Sequence, residues 1–407
     1  MKPEKTKLEN WICETEKIAV LTRPVLEDLQ LSRLNSLLSS PAFRRGYYSN
    51  LPNRIESLSE LSSLPFTTQE ELSENSRRMA ICSQADIKRI ISDVTSGTTG
   101  PSKRVFYTET DIMHTIGFFA AGISEMCSNG DKVLIAMPQS GPSGLFELIS
   151  AAVLRLGATP VACGVGKSFG EMADIMRSNR PDAFIGMPVP LFSLIRFMGS
   201  DFSVKRALIS ADSCPQSVET ALVRALGTKL FPHYGSRETG LGGAVTCSAH
   251  SGMHIRENHI IAEIIAPDGF ALPDGSQGEL VITTIGLSAM PLIRYRTGDF
   301  CCIMPDACAC GGVTKRLGAV FRDTNDEVSI SSLDDALFSI LQLVDYSIKK
   351  TDSGYEIFAL HLGSENIAEE IRAAVLALYP NISFSVSSDL CLPERKPLYL
   401  GKRHIIS

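Results

Sequence analysis

The chain has 407 residues, of which 44% are hydrophobic and 21% charged, with a formal net charge of −6 and no basic block. That composition fits a globular chain with a large buried core and makes nucleic acid a poor partner. The N-terminus is charged without an apolar signal core, and the longest apolar stretch, near Leu148 to Val165, is broken by Arg155, Gly157 and Pro160, so no secretory signal and no membrane contact are expected and a cytoplasmic protein is.

The pattern predicts helix over residues 8–40, from apolar residues at three- and four-residue spacing. "LPFTTQEELSEN" reads as a turn and a helix capped by Thr67 or Thr68, with Glu70 or Glu71 reaching back. From Lys132 strands and helices alternate: "KVLIAMP", "GLFELISAAVLRLGA", "TPVACG", "MADIMRSNRP", "DAFIGMP", "PLFSLIRFM", "RALIS", "QSVETALVRALG". This rhythm predicts an α/β fold with a largely parallel sheet and flanking helices. From about Gly252 the pattern becomes strand-rich, with turns at "PDG" and "PDGSQG", and predicts a β subdomain; a short α+β pattern closes the chain after about Val320.

Between these elements lies "DVTSGTTGPSKRVFY", Asp93 to Tyr107, dense in glycines and hydroxyls beside a lysine and an arginine. Glycines let backbone N–H groups approach an oxyanion, hydroxyls add donors, and lysine adds charge, so the loop reads as a phosphate site. It is not a Walker A loop, because Ser102 rather than glycine precedes Lys103 and Arg104 follows it.

Four further stretches carry chemistry. In "HYGSRETGLG" (His233 to Gly242) an aromatic before a glycine offers a face to a nucleobase, and Glu238 is a hard oxygen ligand for Mg²⁺. In "IRYRTGDF" Asp299 is placed to accept hydrogen bonds from ribose hydroxyls. In "PLYLGKRHII" Lys402 follows a glycine and could deliver a cation to a reacting phosphate or carboxylate, the alternative being a solvated basic tail. Eleven scattered cysteines, an odd number, argue against a disulfide framework. "CSAH" and "CACGG" supply Cys247, His250, Cys308 and Cys310, the donor set of a closed Cys₃His zinc site, with His254 as a competing ligand. Buried free cysteines are the alternative reading, and Cys301 and Cys302 read as core.

Together and in this order the motifs resemble those of the adenylate-forming acyl-CoA synthetase superfamily, in its phenylacetate–CoA ligase-like branch. "TSGTTGPSK", "YGSRE", "YRTGD" and the P-x-x-x-G-K spacing of "PLYLGK" carry the superfamily resemblance; "LPFTTQEEL", "AMPLIRYRTGD" and "CACGG" carry that to the branch. The resemblance implies an ATP-dependent acid–CoA ligase that forms an acyl-adenylate, releases pyrophosphate, and passes the acyl group to a thiol. By the same resemblance Thr95, Ser96, Gly97, Thr98, Thr99, Gly100 and Lys103 would hold the phosphates, and Tyr234 with His233, Gly235 and Ser236 the adenine. Glu238 would hold Mg²⁺, Asp299 the ribose, Ala211 and Asp212 of "SAD" the adenine edge, and Arg316 the nucleotide, while Lys402 would neutralise charge in the first step. The implied domains are 1–320, an AMP-binding domain whose β subdomain covers about 245–320, and 321–407, a small mobile lid. A homodimer is compatible with this reading. Two stretches depart from the pattern: "VFRDTNDEV" displaces the expected hinge, with Arg322 shifted and Asp326 the hinge candidate, and "SADSCP" replaces Gly-Ala-Glu. The alternatives are an adenylating enzyme with another acceptor, a carrier-protein thiol or a deazaflavin, and a non-catalytic, zinc-stabilised nucleotide-binding relative.

Overall fold

Four of the apolar runs become the parallel strands that the alternation predicts. The computed structural model describes residues 6–93, 103–141, 144–322, 327–364 and 366–406. In it the strands Thr159–Ala162, Lys132–Ala136, Ala183–Gly186 and Arg206–Ile209 lie side by side in that order, all parallel. Parallel neighbours need crossovers. The helices Leu145–Arg155, Phe169–Asn179 and Pro188–Met198 supply them.

The chain divides into two compact units, Met1–Glu125 with Pro232–Asp323, and Met126–Phe231 with Thr324–Ser407. In the second unit the parallel strands share one hydrophobic core with the C-terminal segment. That core joins Leu134, Phe184, Phe192 and Leu222 to Leu333, Phe338, Tyr346 and Val375. The C-terminal strands Leu343–Thr351 and Gly354–His361 pair antiparallel, and Phe384–Leu390 adds in parallel. The helix Pro188–Met198 fastens this segment through polar bonds as well. The Ser193 hydroxyl donates to the Val344 carbonyl at 2.7 Å, and the Arg196 guanidinium donates to the carbonyls of Phe338, Ile340 and Leu343. Burial without a carboxylate partner pushes Arg196 down to about 10.

The first unit is mainly antiparallel, as the strand-rich region predicts. Ile260–Ile265, Gly278–Thr284, Tyr295–Cys301 and Phe321–Arg322 form one sheet in that order. A hairpin of Ile87–Asp93 and Lys103–Thr108 was not anticipated, and it flanks residues 94–102 in the sequence. The helix Gln69–Met79 starts at Thr68, whose reciprocal bonds with Glu71 form the expected capping box. The helical pattern over 8–40 splits into Lys7–Glu16 and Arg23–Ser39. Lys17 ends the first in the left-handed region, and Thr22 caps the second with proline in its first turn. No helix among the described residues is long and apolar enough to cross a membrane.

One buried carboxylate ties the hairpin to the sheet. Asp111 is 1% exposed and accepts N–H bonds from Thr108 (2.9 Å), Ser288 (2.7 Å) and Ala289 (3.1 Å), and the Ser288 hydroxyl at 2.9 Å. Asp111→Ala leaves these donors without their acceptor and is expected to cost about 3 kcal/mol or more. A urea midpoint that falls by less than the equivalent of about 1 kcal/mol, at unchanged m-value, would contradict this accounting.

Candidate active site

The turn after the strand Phe231–Tyr234 is built to hold one carboxylate. Gly235 is required there, since a Cβ would lie 2.3 Å from the Leu241 carbonyl oxygen. The Leu241 N–H closes on the Ser236 carbonyl at 2.8 Å. The Ser236 N–H donates to the Thr239 hydroxyl at 2.9 Å, and that hydroxyl donates back to the Ser236 carbonyl at 2.9 Å. From outside, the Tyr107 hydroxyl donates to the Arg237 carbonyl and the Thr115 hydroxyl to the Gly240 carbonyl.

Glu238 is thereby fixed with 4% of its surface exposed, and Lys103, the first residue of its strand, places Nζ 2.5 Å from Glu238 Oε1. The Tyr295 hydroxyl completes a triangle: it donates to Glu238 Oε1 at 3.1 Å and accepts from Lys103 Nζ at 3.2 Å. Burial alone would raise the Glu238 carboxyl, but the Lys103 charge and several hydrogen bonds outweigh it and hold the group below its ordinary value. Burial and the Glu238 charge push the Tyr295 phenol far up, so it is a neutral donor.

A second cluster forms around Asp299. Gly298, at φ 72°, takes the left-handed backbone before it. The Tyr234 hydroxyl donates to Asp299 Oδ2 at 2.9 Å, and the Arg322 Nε and Nη2 groups donate to Oδ1 at 3.1 and 2.9 Å. Strand pairing places Arg322 opposite Asp299. His233 lies between the rings of Phe118 and Phe119, with centroids 5.7 Å away in each case, and burial pushes its imidazole down to about 4. The arrangement thus sets an ammonium against Glu238 and a guanidinium against Asp299.

Not every expected residue joins these clusters. Thr95, Ser96, Gly97, Thr98, Thr99 and Gly100 lie outside the described residues, as does Asp326. The Arg316 guanidinium ties two turns together, donating to the Ser251 carbonyl and hydroxyl and to the Asp306 carbonyl. Ala211, Asp212 and Lys402 belong to the second unit. Ala211 adopts a left-handed φ of 71°, and Asp212 follows it. Tyr295 and Arg322 are site residues that the motif reading passed over. Tyr295 had a signal, because it lies in the same "YRTGD" stretch as Asp299.

The cysteine pairs do converge, but around His254 rather than His250. The donor atoms of Cys247, His254, Cys308 and Cys310 all lie within 4.8 Å of one another. The Cys247 and Cys308 sulfurs are 3.7 Å apart, and Cys310 Sγ is 3.4 Å from His254 Nε2. Tetrahedral zinc with ordinary bond lengths requires about 3.8 Å between sulfurs and about 3.5 Å between sulfur and nitrogen. The outer contacts fix the histidine tautomer. Thr314 Oγ1 lies 3.2 Å from Glu9 Oε1 and 2.8 Å from His254 Nδ1. A carboxylate only accepts, so the hydroxyl proton goes to Glu9, Nδ1 donates to Thr314, and Nε2 keeps its lone pair for a metal. Burial and the Arg316 charge push His254 down to about 4, which keeps it neutral. His250 instead closes the Cys247–His250 turn through its backbone N–H at 2.9 Å. Glu9 also accepts the Val313 and Thr314 N–H groups, so the helix Lys7–Glu16 is fastened to the cysteine turn.

Comparison with known proteins identifies the family and the fold. The family model of the AMP-binding enzyme matches residues 55–290. A phenylacetate–coenzyme A ligase of Escherichia coli K12 is 31% identical over 299 residues, covering 69% of this chain and 68% of its own. One from Pseudomonas putida is 27% identical over 376 residues, covering 88% and 84%. Among solved structures, a 2-hydroxyisobutyryl-CoA ligase in complex with an acyl-AMP shares the fold, with a TM-score of 0.75 at 18% identity over 94% of this chain and 88% of that one.

Zinc content measured by mass spectrometry is expected to fall to background in Cys308→Ser and His254→Ala and to persist in His250→Ala; loss in His250→Ala alone would restore the C-x-x-H reading. In Lys103→Ala the burial of Glu238 loses its largest offset, so its carboxyl rises and a higher pH is needed to ionise it. The acid limb of kcat/KM for ATP is expected to move to higher pH; an unmoved limb would separate Lys103 from the ionisation of Glu238.

Proposed function

The chain belongs to the AMP-binding enzyme family, in its phenylacetate–coenzyme A ligase branch, and we propose from this that it is an ATP-dependent carboxylic acid–CoA ligase. The acid's carboxylate oxygen attacks the α-phosphorus of ATP, a new O–P bond forms, and pyrophosphate leaves. The thiolate of coenzyme A then attacks the acyl carbonyl, forming the thioester and releasing AMP.

The observation that supports the reading most is the placement of Lys103, Glu238 and Tyr295 as one hydrogen-bonded triangle in the same unit as Tyr234, Asp299 and Arg322. Lys103 supplies a cation for the β- and γ-phosphates, beside the hydroxyl-rich loop. Glu238 is an ionised hard oxygen donor suited to Mg²⁺, which when bound withdraws charge from the phosphates. Asp299 accepts from the ribose hydroxyls, and the Tyr234 ring takes the adenine. Lys402 neutralises the charge that develops between carboxylate and phosphate in the first step, and the segment after residue 320 moves away before the thiol arrives. The Cys247, His254, Cys308 and Cys310 set holds a structural zinc that braces the β-rich region.

ATP–pyrophosphate exchange with Mg²⁺ but without coenzyme A, across a panel of aryl and short aliphatic acids, tests the reading. Acid-dependent exchange is expected, and Lys402→Ala is expected to lower it by a factor of about 100 or more while thiolation of supplied acyl-adenylate stays within a few-fold. No exchange with any acid, in protein that binds ATP, would support the non-catalytic relative.

A further inference from the structure

Apart from its carbonyl, 3.0 Å from His404 Nδ1, Lys402 makes no hydrogen bond or ion pair among the described residues. It is exposed, and a Cβ on Gly401 would meet no atom within 4 Å. An ammonium on a flexible stem acts at a defined point only if its backbone is fixed, and small misplacements of a reacting group cost large factors in rate.

The next residue supplies the fixing. The Arg403 side chain is 5% exposed. Its Nε donates to both oxygens of Asp334, at 2.9 and 3.2 Å. One terminal nitrogen donates to Asp345 Oδ1 at 3.2 Å and the other to the Tyr346 carbonyl at 3.1 Å. The rings of Tyr346, Tyr399 and Phe338 surround it at 4.4, 4.7 and 5.0 Å. The same groups hold the rest of the turn. Asp345 Oδ2 accepts the Leu398 N–H at 2.7 Å, and the Tyr399 hydroxyl donates to the His404 carbonyl at 2.7 Å. Ile406 adds to the strand Leu343–Thr351 by bonds with Ile348 and Lys350. Lys402 therefore sits at the free tip of a turn tied down on both sides.

All of those bonds lie within residues 334–406. The exception is the Arg403 backbone N–H, which donates to Asp212 Oδ2 at 2.9 Å. The other Asp212 oxygen accepts the Ser213 N–H at 3.0 Å. The left-handed Ala211 precedes this carboxylate. Both oxygens that the motif reading assigned to the nucleotide are thus engaged by the chain, and one of them by the residue beside Lys402.

We propose that Arg403 is a positioning residue for Lys402 and that Asp212 is the docking point that latches its turn for adenylation. This rests on the reading of Lys402 given above. The Arg403 knot moves with the C-terminal segment, because its partners belong to that segment, whereas the Asp212 bond, like the Ser193 and Arg196 bonds to the segment, must break when the segment leaves.

Two variants test the latch. Arg403→Lys keeps a cation between Asp334 and Asp345 but loses the planar fork, and Asp212→Ala removes the docking carboxylate without touching the buried ion pairs. In each, exchange kcat is expected to fall at least tenfold more than thiolation of supplied acyl-adenylate, with KM for ATP within about two-fold. Trypsin cleavage after Lys402 or Arg403 is expected to speed at least tenfold in Asp212→Ala. Equal losses in both half-reactions, or a raised KM for ATP with unchanged cleavage, would overturn the latch and return Asp212 to the nucleotide. If the unaltered enzyme shows no exchange with any acid, the ligase reading falls, and the cleavage rates alone decide the latch.

Discussion

A carboxylate as deeply buried as Glu238 stays ionised only beside a cation. Lys103, 2.5 Å away, is that cation, and much of the first unit serves to bring the two together. The tight turn at Gly235 aims Glu238 inward. The hairpin of Ile87–Asp93 and Lys103–Thr108 delivers Lys103 at a strand end, and Asp111 fixes the helix that follows that hairpin to the turn at Ser288 and Ala289. Tyr295 fills the remaining corner with a neutral hydroxyl that can donate to one partner while accepting from the other.

The second unit obeys the same rule with the signs reversed. There a buried guanidinium, Arg403, is matched by Asp334 and Asp345. Buried pairs of this kind are weak contributors to stability but strong constraints on geometry, since breaking one side leaves an uncompensated charge. That would suit the role proposed for Lys402, which is exposed and must be placed without being enclosed. Arg196 is the contrasting case: its partners are carbonyls rather than carboxylates, and its pKa falls.

What was legible in the sequence was local. The Thr68–Glu71 capping box follows from a three-residue spacing, and the parallel strands from alternation with helices. The break between the first two helices was also readable, because Thr22 and Pro24 signal a new start, yet the continuous apolar spacing masked it. The misses are long-range. Arg322 reads as a displaced hinge residue, but strand register puts it opposite Asp299, twenty-three positions earlier. Arg403 reads as part of a solvated basic tail, and its burial depends on a helix and a strand some sixty residues before it. His250 has the sequence spacing of a zinc ligand, whereas His254 has the hydrogen-bonded tautomer, which Glu9 and Thr314 set from opposite ends of the first unit's sequence.

The pairings within the site also bear on how a nucleotide enters it. Lys103 and Glu238 neutralise each other, and so do Arg322 and Asp299. A phosphate arriving alone would take Lys103 from Glu238 and strand a buried carboxylate; a divalent cation arriving alone would strand the ammonium. On the proposed ligase reading, a magnesium nucleotide would bring both signs at once, offering phosphates to Lys103 and the metal to Glu238, so that neither charge would be left bare. On the proposed reading, the residues that would recognise the ligand are those that pair with one another here, and their mutual contacts would favour a metal–nucleotide complex over either component.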